Sequence, residues 1–447
     1  MNVCLIRVWN DELFDPRLQS PLGIGYLAAA LEEAGHGASI CDLADVPPDK
    51  WDEKLPADAD CYGISATTGE YVTARNTMHL CRKLNPAAVQ IIGGAHASCL
   101  PEQCVMDGWD VAFMGESERT IVEFARGDEW PGIAGICYRE GDRVKRTPKR
   151  ELIACLDDIA FPARHLMEYE TVVDEQLVGS GVPGTVLTAS RGCVMGCSFC
   201  STQGVWGKTF RIRSAPNIAA EIHQVVETLA VRGIRFVDDQ FGYSDEQVRI
   251  VCEATGGLGL AWRTHMRVEH AKPHRLAMMA AAGCVEVALG CEAMAQPILD
   301  HNNKHITVKQ IAQAVENIRA AKMRSKAYII IGLPGESPST IEQTKQGLLR
   351  IRPDRTNLST FVDYPGCPVW NDPERYDYTL EDTDWAKFWL LGGTEKGIPF
   401  VGRTFAMSRD DLFEARIKLE EWLYANQFTT WKDQFKKPEL SGTHPSD

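Results

Sequence analysis

Short apolar runs alternate with segments of helical periodicity through the first 130 residues. The apolar runs have the length of β-strands and are Asn2–Val8, Ala38–Leu43, Asp60–Ala66, Val89–Gly94 and Asp110–Met114. The segments that repeat apolar residues at helical spacing are Pro21–Gly35, Tyr71–Leu84, Pro101–Asp107 and Glu118–Arg126. This alternation predicts an α/β fold, a doubly wound parallel sheet with helices on both faces.

The same alternation returns between Thr185 and about Pro365. The predicted strands are Thr185–Ala189, Ile234–Asp238, Leu260–His265, Val285–Gly290, Ala327–Ile331 and Asn357–Val362. The predicted helices are Asn217–Arg232, Asp245–Ala254, Lys272–Ala282, Val308–Lys322 and Ser339–Arg350. Six strand–helix units predict a partial (β/α)6 barrel, and in such barrels the chemistry lies at the C-terminal ends of the strands.

These patterns divide the chain into four parts. Residues 1–135 form the doubly wound domain, and residues 136–184 form a linker that begins with a polar hairpin at Ile136–Arg150. Residues 185–368 form the partial barrel. Residues 369–447 form a helical extension, with a helix at Asp410–Ala425 and a disordered polar tail at Lys436–Asp447.

Length and charge limit the classes of function. The chain has 447 residues, which suits two or three domains, and its net charge of −14 argues against nucleic acid as the main partner. No apolar run has the length of a membrane span, and the N-terminus lacks the pattern of a secretory signal. We therefore expect a cytoplasmic protein without a membrane partner, whose 15 cysteines are reduced thiols.

Three of the cysteines form a compact group just after the first predicted barrel strand. The segment RGCVMGCSFC places Cys193, Cys197 and Cys200 at Cys-x3-Cys-x2-Cys spacing. Three thiolates on a short loop can hold three irons of a cubane cluster and leave the fourth iron open. A structural zinc site would need a fourth ligand, and neither His165 nor His223 has finger-like spacing, so the pattern favours iron–sulfur over zinc.

This motif resembles the signature of the radical S-adenosylmethionine (SAM) superfamily. The resemblance implies a [4Fe–4S] cluster whose open iron chelates SAM, and cleavage of SAM to a 5′-deoxyadenosyl radical by an electron from the cluster. It also implies that Phe199, the aromatic residue before the last cysteine, lies by the adenine. Further positions that the resemblance carries over as SAM contacts are Asp238, Asp239, Arg267, Glu292, Gly332, Leu333 and Pro334. Each of them could instead be a structural turn or a salt bridge.

The N-terminal third resembles the cobalamin-binding, Rossmann-like domain that is fused to many radical SAM enzymes. The matching fragments are PLGIGYLAAALEEAGH, YGISATT, IIGGAHAS and MGESE. The connector LDDIAFPAR and the barrel fragments FRIRS, FVDDQF, LGCEAM, IIGLPGES and YPGCP fit the same subfamily. The resemblance covers roughly Val3 to Pro368, and it implies cobalamin as a further cofactor.

Small residues follow several strands of the first sheet, where a ligand could approach the backbone closely. Our candidates for the cobalamin crevice are Ser65, Thr67, Gly93, Gly94 and Glu116. His96 either faces this crevice or is a structural residue. The motif Asp-x-His-x-x-Gly, whose histidine ligates cobalt from below in mutase-type proteins, does not occur in the sequence, so we expect cobalamin to bind without it.

The activity implied by the resemblance is cobalamin-dependent methyl transfer to carbon. The radical abstracts a hydrogen from an unactivated carbon, methylcobalamin donates the methyl group, and a second SAM restores methylcobalamin. An alternative is a dehydratase, epimerase or ring-forming enzyme on a sugar-like metabolite, with a vestigial cobalamin domain. A more distant alternative is an iron–sulfur or cobalamin sensor, although no effector domain is visible.

The partners follow from this activity. About 80 residues after the barrel leave little room for a large substrate domain, which favours a small-molecule substrate, as in natural-product biosynthesis. The region Leu380–Arg403, with Trp385, Trp389 and Lys396, is either part of the substrate mouth or part of the core. A reducing partner such as flavodoxin or ferredoxin would supply the electron. No residue is assigned as a catalytic acid or base.

Overall fold

The computed structural model describes residues 1–9, 20–390, 400–430 and 433 of the chain. Two large sheets follow one another along these residues, each combined with helices. A small hairpin and a long helix come after the second sheet. No helix in the described residues is long and apolar enough to cross a membrane.

The first sheet has seven strands in the order β2-β1-β3-β4-β5-β6-β7. The strands are β1 (Asn2–Arg7), β2 (Gly37–Asp42), β3 (Cys61–Ser65), β4 (Val89–Gly93), β5 (Val111–Phe113), β6 (Ile136–Glu140) and β7 (Arg143–Arg146). The helices of this part are α1 (Leu22–Glu33), α2 (Trp51–Lys54), α3 (Tyr71–Leu84), α4 (Gly94–Cys99), α5 (Pro101–Met106) and α6 (Glu118–Arg126). Strands β1 to β5 are parallel, as the alternation predicts.

Both faces of the first sheet are buried, because successive side chains of a strand point to opposite faces. On β1, Val3 and Leu5 pack in the cluster that contains Ile24 of α1 and Ile121 of α6. Cys4 and Ile6 pack on the other face, in the cluster that contains residues of α3 and α5. Helices therefore cover both faces, which confirms the doubly wound prediction.

The polar hairpin predicted at 136–150 forms, and β6 and β7 are its two strands. It does not stand apart from the first sheet, because β6 pairs with β5 in antiparallel register, Val111 opposite Tyr138. The chain from Arg150 to Gly184 that follows has one α-helix, α7 (Tyr169–Val172), and two short 3-10 helices. The division at residue 135 stays a prediction.

The second sheet has six parallel strands in the order β8-β11-β12-β13-β14-β15, and it is curved and open. The strands from this region are β8 (Gly184–Leu187), β9 (Ser190–Arg191), β10 (Arg211–Ile212), β11 (Gly233–Phe236), β12 (Ala261–Arg267), β13 (Cys284–Glu292), β14 (Arg324–Ile331) and β15 (Arg355–Thr360). The helices are α8 (Thr202–Trp206), α9 (Ala215–Leu229), α10 (Asp245–Thr255), α11 (Pro273–Ala281), α12 (Gln296–His301), α13 (Val308–Ala320) and α14 (Pro338–Ile351). The predicted partial (β/α)6 barrel is confirmed.

The remaining elements pack against this barrel. They are α15 (Pro368–Asn371), β16 (Tyr378–Leu380), β17 (Gly402–Thr404) and α16 (Arg409–Ala425). Helix α16 starts at a capping box of Ser408 and Asp411, and its Leu412, Leu419 and Leu423 join the barrel core. The tail predicted to be disordered, Lys436–Asp447, lies outside the described residues.

Candidate active site

The three cysteines lie on the loop between the short strand β9 and helix α8. Gly192 begins this loop at φ +91°, and a Cβ at this position would collide with the Thr209 carbonyl oxygen. The Gly192 N–H donates to Asp239 Oδ2 at 2.9 Å. Ser198 donates through its N–H and its hydroxyl to Asn302, at 3.0 and 2.8 Å. The loop is thus held at both ends to neighbouring barrel loops.

Each cysteine has a distinct environment in this loop. Cys197 is buried, and Arg267 Nη1 donates to its Sγ at 3.2 Å. Cys193 and Cys200 are half-buried, and the Cys200 thiol donates to Thr202 Oγ1 at 3.2 Å. Burial raises the pKa of the Cys193 and Cys200 thiols, whereas a metal would bind their thiolates.

Among the described residues, no three His, Cys, Asp or Glu side chains converge closely enough to hold a single metal ion. The three thiols of the loop are therefore not arranged as ligands of one zinc ion. Cubane ligands bind different irons and stand further apart, so this donor set fits a [4Fe–4S] cluster. His165, considered above as a fourth zinc ligand, pairs instead with Glu32 of α1 at 3.0 Å.

A cavity of about 580 Å³ lies inside the barrel, directly below the cysteine loop, and we call it the barrel cavity. All three cysteines line it. The predicted SAM contacts Phe199, Asp239, Arg267 and Glu292 line it as well. The structure therefore brings together residues that are up to 99 positions apart in the sequence, Cys193 and Glu292, at one end of the barrel.

Glu292 and Lys304 form a buried ion pair in the wall of this cavity. Lys304 Nζ lies 2.5 Å from Glu292 Oε1 and 5.6 Å from the centroid of the Phe199 ring. Glu292 has φ +62°, which is unusual for a residue with a side chain, and a Cβ on Gly290 would lie only 2.7 Å from its carboxylate. Lys304 was not predicted, because it follows α12 in a loop without a motif.

The two aspartates that follow β11, Asp238 and Asp239, have different structural roles. Asp239 opens onto the cavity, whereas Asp238 points into the protein and accepts from the Ala189 N–H at 3.1 Å and the Ser190 hydroxyl at 2.5 Å. Burial raises the pKa of Asp238 to about 7. Asp238 thus ties β11 to the start of the cysteine loop and does not line the barrel cavity.

Three further predicted SAM contacts do not line the barrel cavity. They are Gly332, Leu333 and Pro334. The Gly332 N–H donates to Glu336 Oε2 at 3.0 Å, and Leu333 is buried. The Pro334 carbonyl accepts from Asn302 Nδ2 at 2.9 Å. Since Asn302 also holds Ser198, this turn supports the cysteine loop from behind.

A second cavity, of about 450 Å³, lies between the first sheet and the barrel, and we call it the interdomain cavity. Ser65, Gly93, Gly94 and Glu116 line it at the C-terminal ends of β3, β4 and β5, as predicted. Thr67 is not among its lining residues. Thr67 is exposed, and its N–H and hydroxyl both donate to Glu70 Oε2 at 2.9 Å.

Glu116 joins the first sheet to the cysteine loop. Its carboxylate accepts from Arg191 Nη1 at 2.9 Å, from Arg211 Nη1 at 2.7 Å and from the Ile153 N–H at 2.9 Å. Burial opposes ionisation, yet these hydrogen bonds hold the pKa of Glu116 below its usual value. Arg191 and Arg211 pair on the ribbon β9–β10, which the apolar pattern did not reveal because each strand has two residues.

The two cavities meet beside the cysteine loop. Thr202 and Asp239 line both of them. Leu390 lines the barrel cavity, while Trp385 packs against Trp370 and Phe388 in an aromatic cluster. The region predicted as either mouth or core therefore contributes to both, and Lys396 lies outside the described residues.

His96 is a buried structural residue and lines neither cavity. Its ring stacks on Tyr71 at 3.9 Å between centroids, and it meets Trp385 edge-on at 5.1 Å. Burial lowers the pKa of His96 to about 4. The structural alternative stated for His96 is therefore the one that the geometry supports.

Comparison with known proteins adds two family matches. A model of the radical SAM superfamily matches residues 187–347, and a model of the B12 binding domain matches residues 18–125. The first match covers most of the barrel and the cysteine loop. The second covers the strands and helices around the interdomain cavity.

Curated relatives align along most of the chain. An uncharacterised methyltransferase of Pyrococcus horikoshii is 29% identical over 368 residues, which cover 78% of this chain and 77% of the relative. The cytidylyl-2-hydroxyethylphosphonate methyltransferase of Streptomyces wedmorensis is 28% identical, with 73% and 72% covered. The anaerobic magnesium-protoporphyrin IX monomethyl ester cyclase of Cereibacter sphaeroides is 28% identical, and the alignment covers 80% of this chain and 62% of the cyclase.

Two solved structures share the fold. The radical SAM methyltransferase TsrM from Kitasatospora setae, solved with cobalamin and a [4Fe–4S] cluster, has a TM-score of 0.67 at 17% identity over 82% of this chain and 77% of that one. The cobalamin-dependent SAM radical enzyme OxsB, solved with aqua-cobalamin and SAM, has a TM-score of 0.66 at 16% identity over 95% and 61%. At these identities the likeness establishes the order and architecture of the two α/β units.

Proposed function

Because this chain belongs to the radical SAM superfamily and carries a B12-binding domain ahead of its radical SAM domain, we propose that it is a cobalamin-dependent radical SAM methyltransferase acting on a small molecule. The observation that carries the proposal is the meeting of the barrel and interdomain cavities at Thr202 and Asp239. When bound, the cluster supplies the electron that cleaves SAM to a 5′-deoxyadenosyl radical, and cobalamin supplies the methyl group.

The residues of the barrel end would bind and orient the cluster and SAM. Cys193, Cys197 and Cys200 would hold the cluster, and Arg267 would stabilise the Cys197 thiolate by its hydrogen bond. Phe199 lies next to the buried Lys304–Glu292 pair. Phe199 would offer SAM an aromatic face, and the pair would offer it charged groups. Asp239 would face the substrate from the boundary of the two cavities.

The interdomain cavity fits cobalamin in two respects. Its wall at the strand ends is made of small residues, and Gly94 lies so close to the backbone that a Cβ would be 2.6 Å from the Ala66 carbonyl oxygen. None of the described residues that line it is a histidine. These residues would therefore hold cobalamin without a histidine, in agreement with the missing Asp-x-His-x-x-Gly motif.

The ring-forming alternative keeps one observation in its favour, since one of the relatives is named a cyclase. Two other relatives are named methyltransferases, and their alignments cover 77% and 72% of the relative, against 62% of the cyclase. Methyl transfer is thus the first proposal. For the reaction we propose a cytoplasmic setting and a flavodoxin- or ferredoxin-type electron donor, as inferred from the sequence.

The experiment uses anaerobically reconstituted protein with SAM, cobalamin, a reductant and candidate natural-product intermediates. A methyltransferase should yield a methylated product together with S-adenosylhomocysteine and 5′-deoxyadenosine. A ring-forming enzyme should yield 5′-deoxyadenosine and a product poorer in hydrogen, without S-adenosylhomocysteine. The second pattern would replace the proposal.

Cysteine variants provide the control for the radical half of the reaction. Cys200→Ala should lose iron and SAM cleavage, because one thiolate ligand is removed. Cys252→Ala removes an equally half-buried cysteine from α10, outside the loop, and should retain about four irons per chain. Equal iron contents in the two variants would refute the assignment of the cluster.

A further inference from the structure

The charged residues that line the barrel cavity are mostly cationic. Two acids, Asp239 and Glu292, face five cations, which are Arg235, Arg263, Arg267, Lys304 and Lys326. Arg267 and Lys304 belong to the cysteine end, where they contact Cys197 and Glu292. The other three cations need a separate explanation.

Arg235, Arg263 and Lys326 form a layer that we call the cationic floor. Each is the third residue of its strand, in β11, β12 and β14, and Arg235 stands opposite Arg263 in the sheet register. On β12, Arg263 precedes Arg267 by four residues, which corresponds to about 13 Å along a strand. The floor is therefore set apart from the residues proposed to hold the cluster and SAM.

The floor carries more positive charge than its neighbouring carboxylates, Glu286 and Asp174, can balance. Within the part of the chain that the structure describes, neither the Arg235 nor the Lys326 side chain forms a hydrogen bond or an ion pair, and Lys326 Nζ lies 5.5 Å from the centroid of the Tyr328 ring. Arg263 pairs with Glu286 at 2.8 Å, but Arg324 and Arg355 share that carboxylate at 3.4 and 3.1 Å. One carboxylate thus serves three guanidinium groups.

Buried cations without partners are costly, and proteins keep them where a ligand supplies the missing charge. Lys326 and Arg263 have only 4% and 8% of their surface exposed. A neutral or cationic substrate would leave the floor unpaired. A dianion would match the two unpaired cations and the third donor beside them, because arginine and lysine both bind phosphate-type groups through charge-assisted hydrogen bonds.

We propose that the cationic floor binds a dianionic group of the substrate, of the phosphate or phosphonate type, and so sets the class of small molecule that the enzyme accepts. This inference rests on the proposed function, since the group bound at the floor belongs to the molecule whose carbon faces the cysteine end. The anion holds one end of the substrate near the N-terminal ends of the strands. The rest of the substrate extends toward Asp239 and Thr202, where the two cavities meet.

The test is calorimetric titration of reconstituted protein that has been saturated with SAM, so that the SAM site is filled. The probes are inorganic phosphate, methylphosphonate and acetate, at constant ionic strength. We expect saturable binding of phosphate and methylphosphonate, and at least tenfold weaker binding of acetate. Absence of phosphate and methylphosphonate binding, or acetate binding of equal strength, would overturn the inference.

Variants locate the binding to the floor. Arg235→Gln and Lys326→Gln should each weaken phosphate binding at least tenfold, whereas Lys326→Arg, which keeps the charge, should stay within threefold of the original protein. Arg249→Gln removes an exposed arginine that pairs with Glu253 on α10, and it should change nothing. Unchanged phosphate binding in both Gln variants would overturn the assignment, and melting curves verify that each variant is folded.

Proton uptake gives a readout that does not depend on the stability of a variant. Burial and the neighbouring Arg263 lower the pKa of Lys326 to about 7, while Glu286 acts in the opposite direction. The other groups that face it are Arg235, Arg355, Tyr328 and His265, and burial lowers the pKa of His265 to about 4. A dianion at the amine favours the charged form, so sulfate binding at pH 8 should take up protons.

The uptake is measured by titrating sulfate in two buffers of different ionisation enthalpy. Lys326→Gln should abolish it, and a heat that is independent of the buffer in the original protein would contradict the inference. Cobalamin binding and 5′-deoxyadenosine formation are measured on the same preparation. If these succeed while no anion binds, the floor assignment alone is wrong. If these fail while phosphate binds, the proposed function is wrong and the anion site stands.

Discussion

Arg267 and Lys304 place two buried positive charges beside the cysteine loop. Arg267 donates to Cys197 Sγ and pairs with Glu269, while Lys304 pairs with Glu292. Burial opposes the charged form of both cations, but these partners hold the pKa of each above its usual value. A permanent positive charge is therefore built into the wall that would face a negatively charged iron–sulfur site.

The Lys304–Glu292 pair leads to a prediction about stability. Lys304→Met leaves the Glu292 carboxylate buried without its partner, which should lower the free energy of unfolding by about 3–5 kcal/mol. The double variant Lys304→Met with Glu292→Gln should recover most of this loss, because no charge is then left unpaired. Urea unfolding measures both, with Lys309→Met, an exposed lysine of α13, as the control. Equal stability of Lys304→Met and the original protein would contradict the prediction.

At the level of elements, the apolar periodicity was sufficient to find every strand of the barrel sheet and its main helices. Helices α3 and α6 have the predicted bounds, because their apolar faces repeat regularly over the whole element. The ribbon β9–β10 escaped detection, since two-residue strands carry no period. Lys304 was not predicted because it lies in a loop without a motif, and the cationic floor was not predicted because it arises from the register between strands that are distant in sequence.

The predicted site residues fall into two groups, those that line the barrel cavity and those that hold the cysteine loop from outside it. The cysteines, Arg267 and Glu292 follow strand ends or a compact motif, and the structure gathers them at one cavity. Asp238 and Gly332–Pro334 occupy strand ends too, yet their groups turn away to hold the cysteine loop. Sequence position gives the end of the barrel at which a residue lies, whereas the direction of its side chain depends on packing.

The start of the cysteine loop allows a matched comparison of two glycines. Gly192→Ala introduces a Cβ at φ +91° against the Thr209 carbonyl, so the loop must shift. Gly196→Ala changes the same loop at a position with open space around it. We expect the iron content of Gly192→Ala to fall by more than half under conditions in which Gly196→Ala keeps a full cluster. Similar iron contents would show that the backbone of the loop start does not position the ligands.

The segment after β15 carries a buried carboxyl whose titration should appear in the stability of the fold. Asp363 is fully buried, and among the described residues neither of its oxygens has a hydrogen-bond partner. Burial raises the pKa of Asp363 to about 7, above the value of an unfolded chain. Because the folded state holds the proton more tightly, stability is lost as the pH rises from about 4 to about 7.

Asp363→Asn removes this titration, since asparagine stays neutral. The variant should gain stability relative to the original protein as the pH rises, with a difference near zero at pH 4 and on the order of 4 kcal/mol at pH 8. Denaturant unfolding across this range measures the difference, and Asp372→Asn, at an exposed aspartate nearby, serves as the control. A difference that does not vary with pH would show that Asp363 ionises normally.

For the molecule as a whole, function depends on how the two α/β units face each other. The Glu116 carboxylate on the first unit binds Arg191 and Arg211 on the second, directly beside the loop that carries the cysteines. Glu116 and Arg191 line the interdomain cavity at this contact, and Thr202 and Asp239 form the boundary that this cavity shares with the barrel cavity. Each cavity could be inferred from its own strand ends, but their meeting could be found only in three dimensions.

This arrangement predicts stoichiometric cobalamin binding that can be blocked without disturbing the cluster. Gly93 lines the interdomain cavity with ordinary backbone angles, and a Cβ there meets only Phe113, at 3.9 Å. Gly93→Leu should therefore fold, fill part of the cavity and weaken cobalamin binding at least tenfold, while its iron content stays at the original level and serves as the control. Absorbance spectra of the original protein should lack the signature of histidine-ligated cobalamin, because no described histidine lines the cavity. A protein that ignores added cobalamin and still forms 5′-deoxyadenosine with a substrate would remove the methyl donor from the mechanism, and the first sheet would then be a structural partner of the barrel.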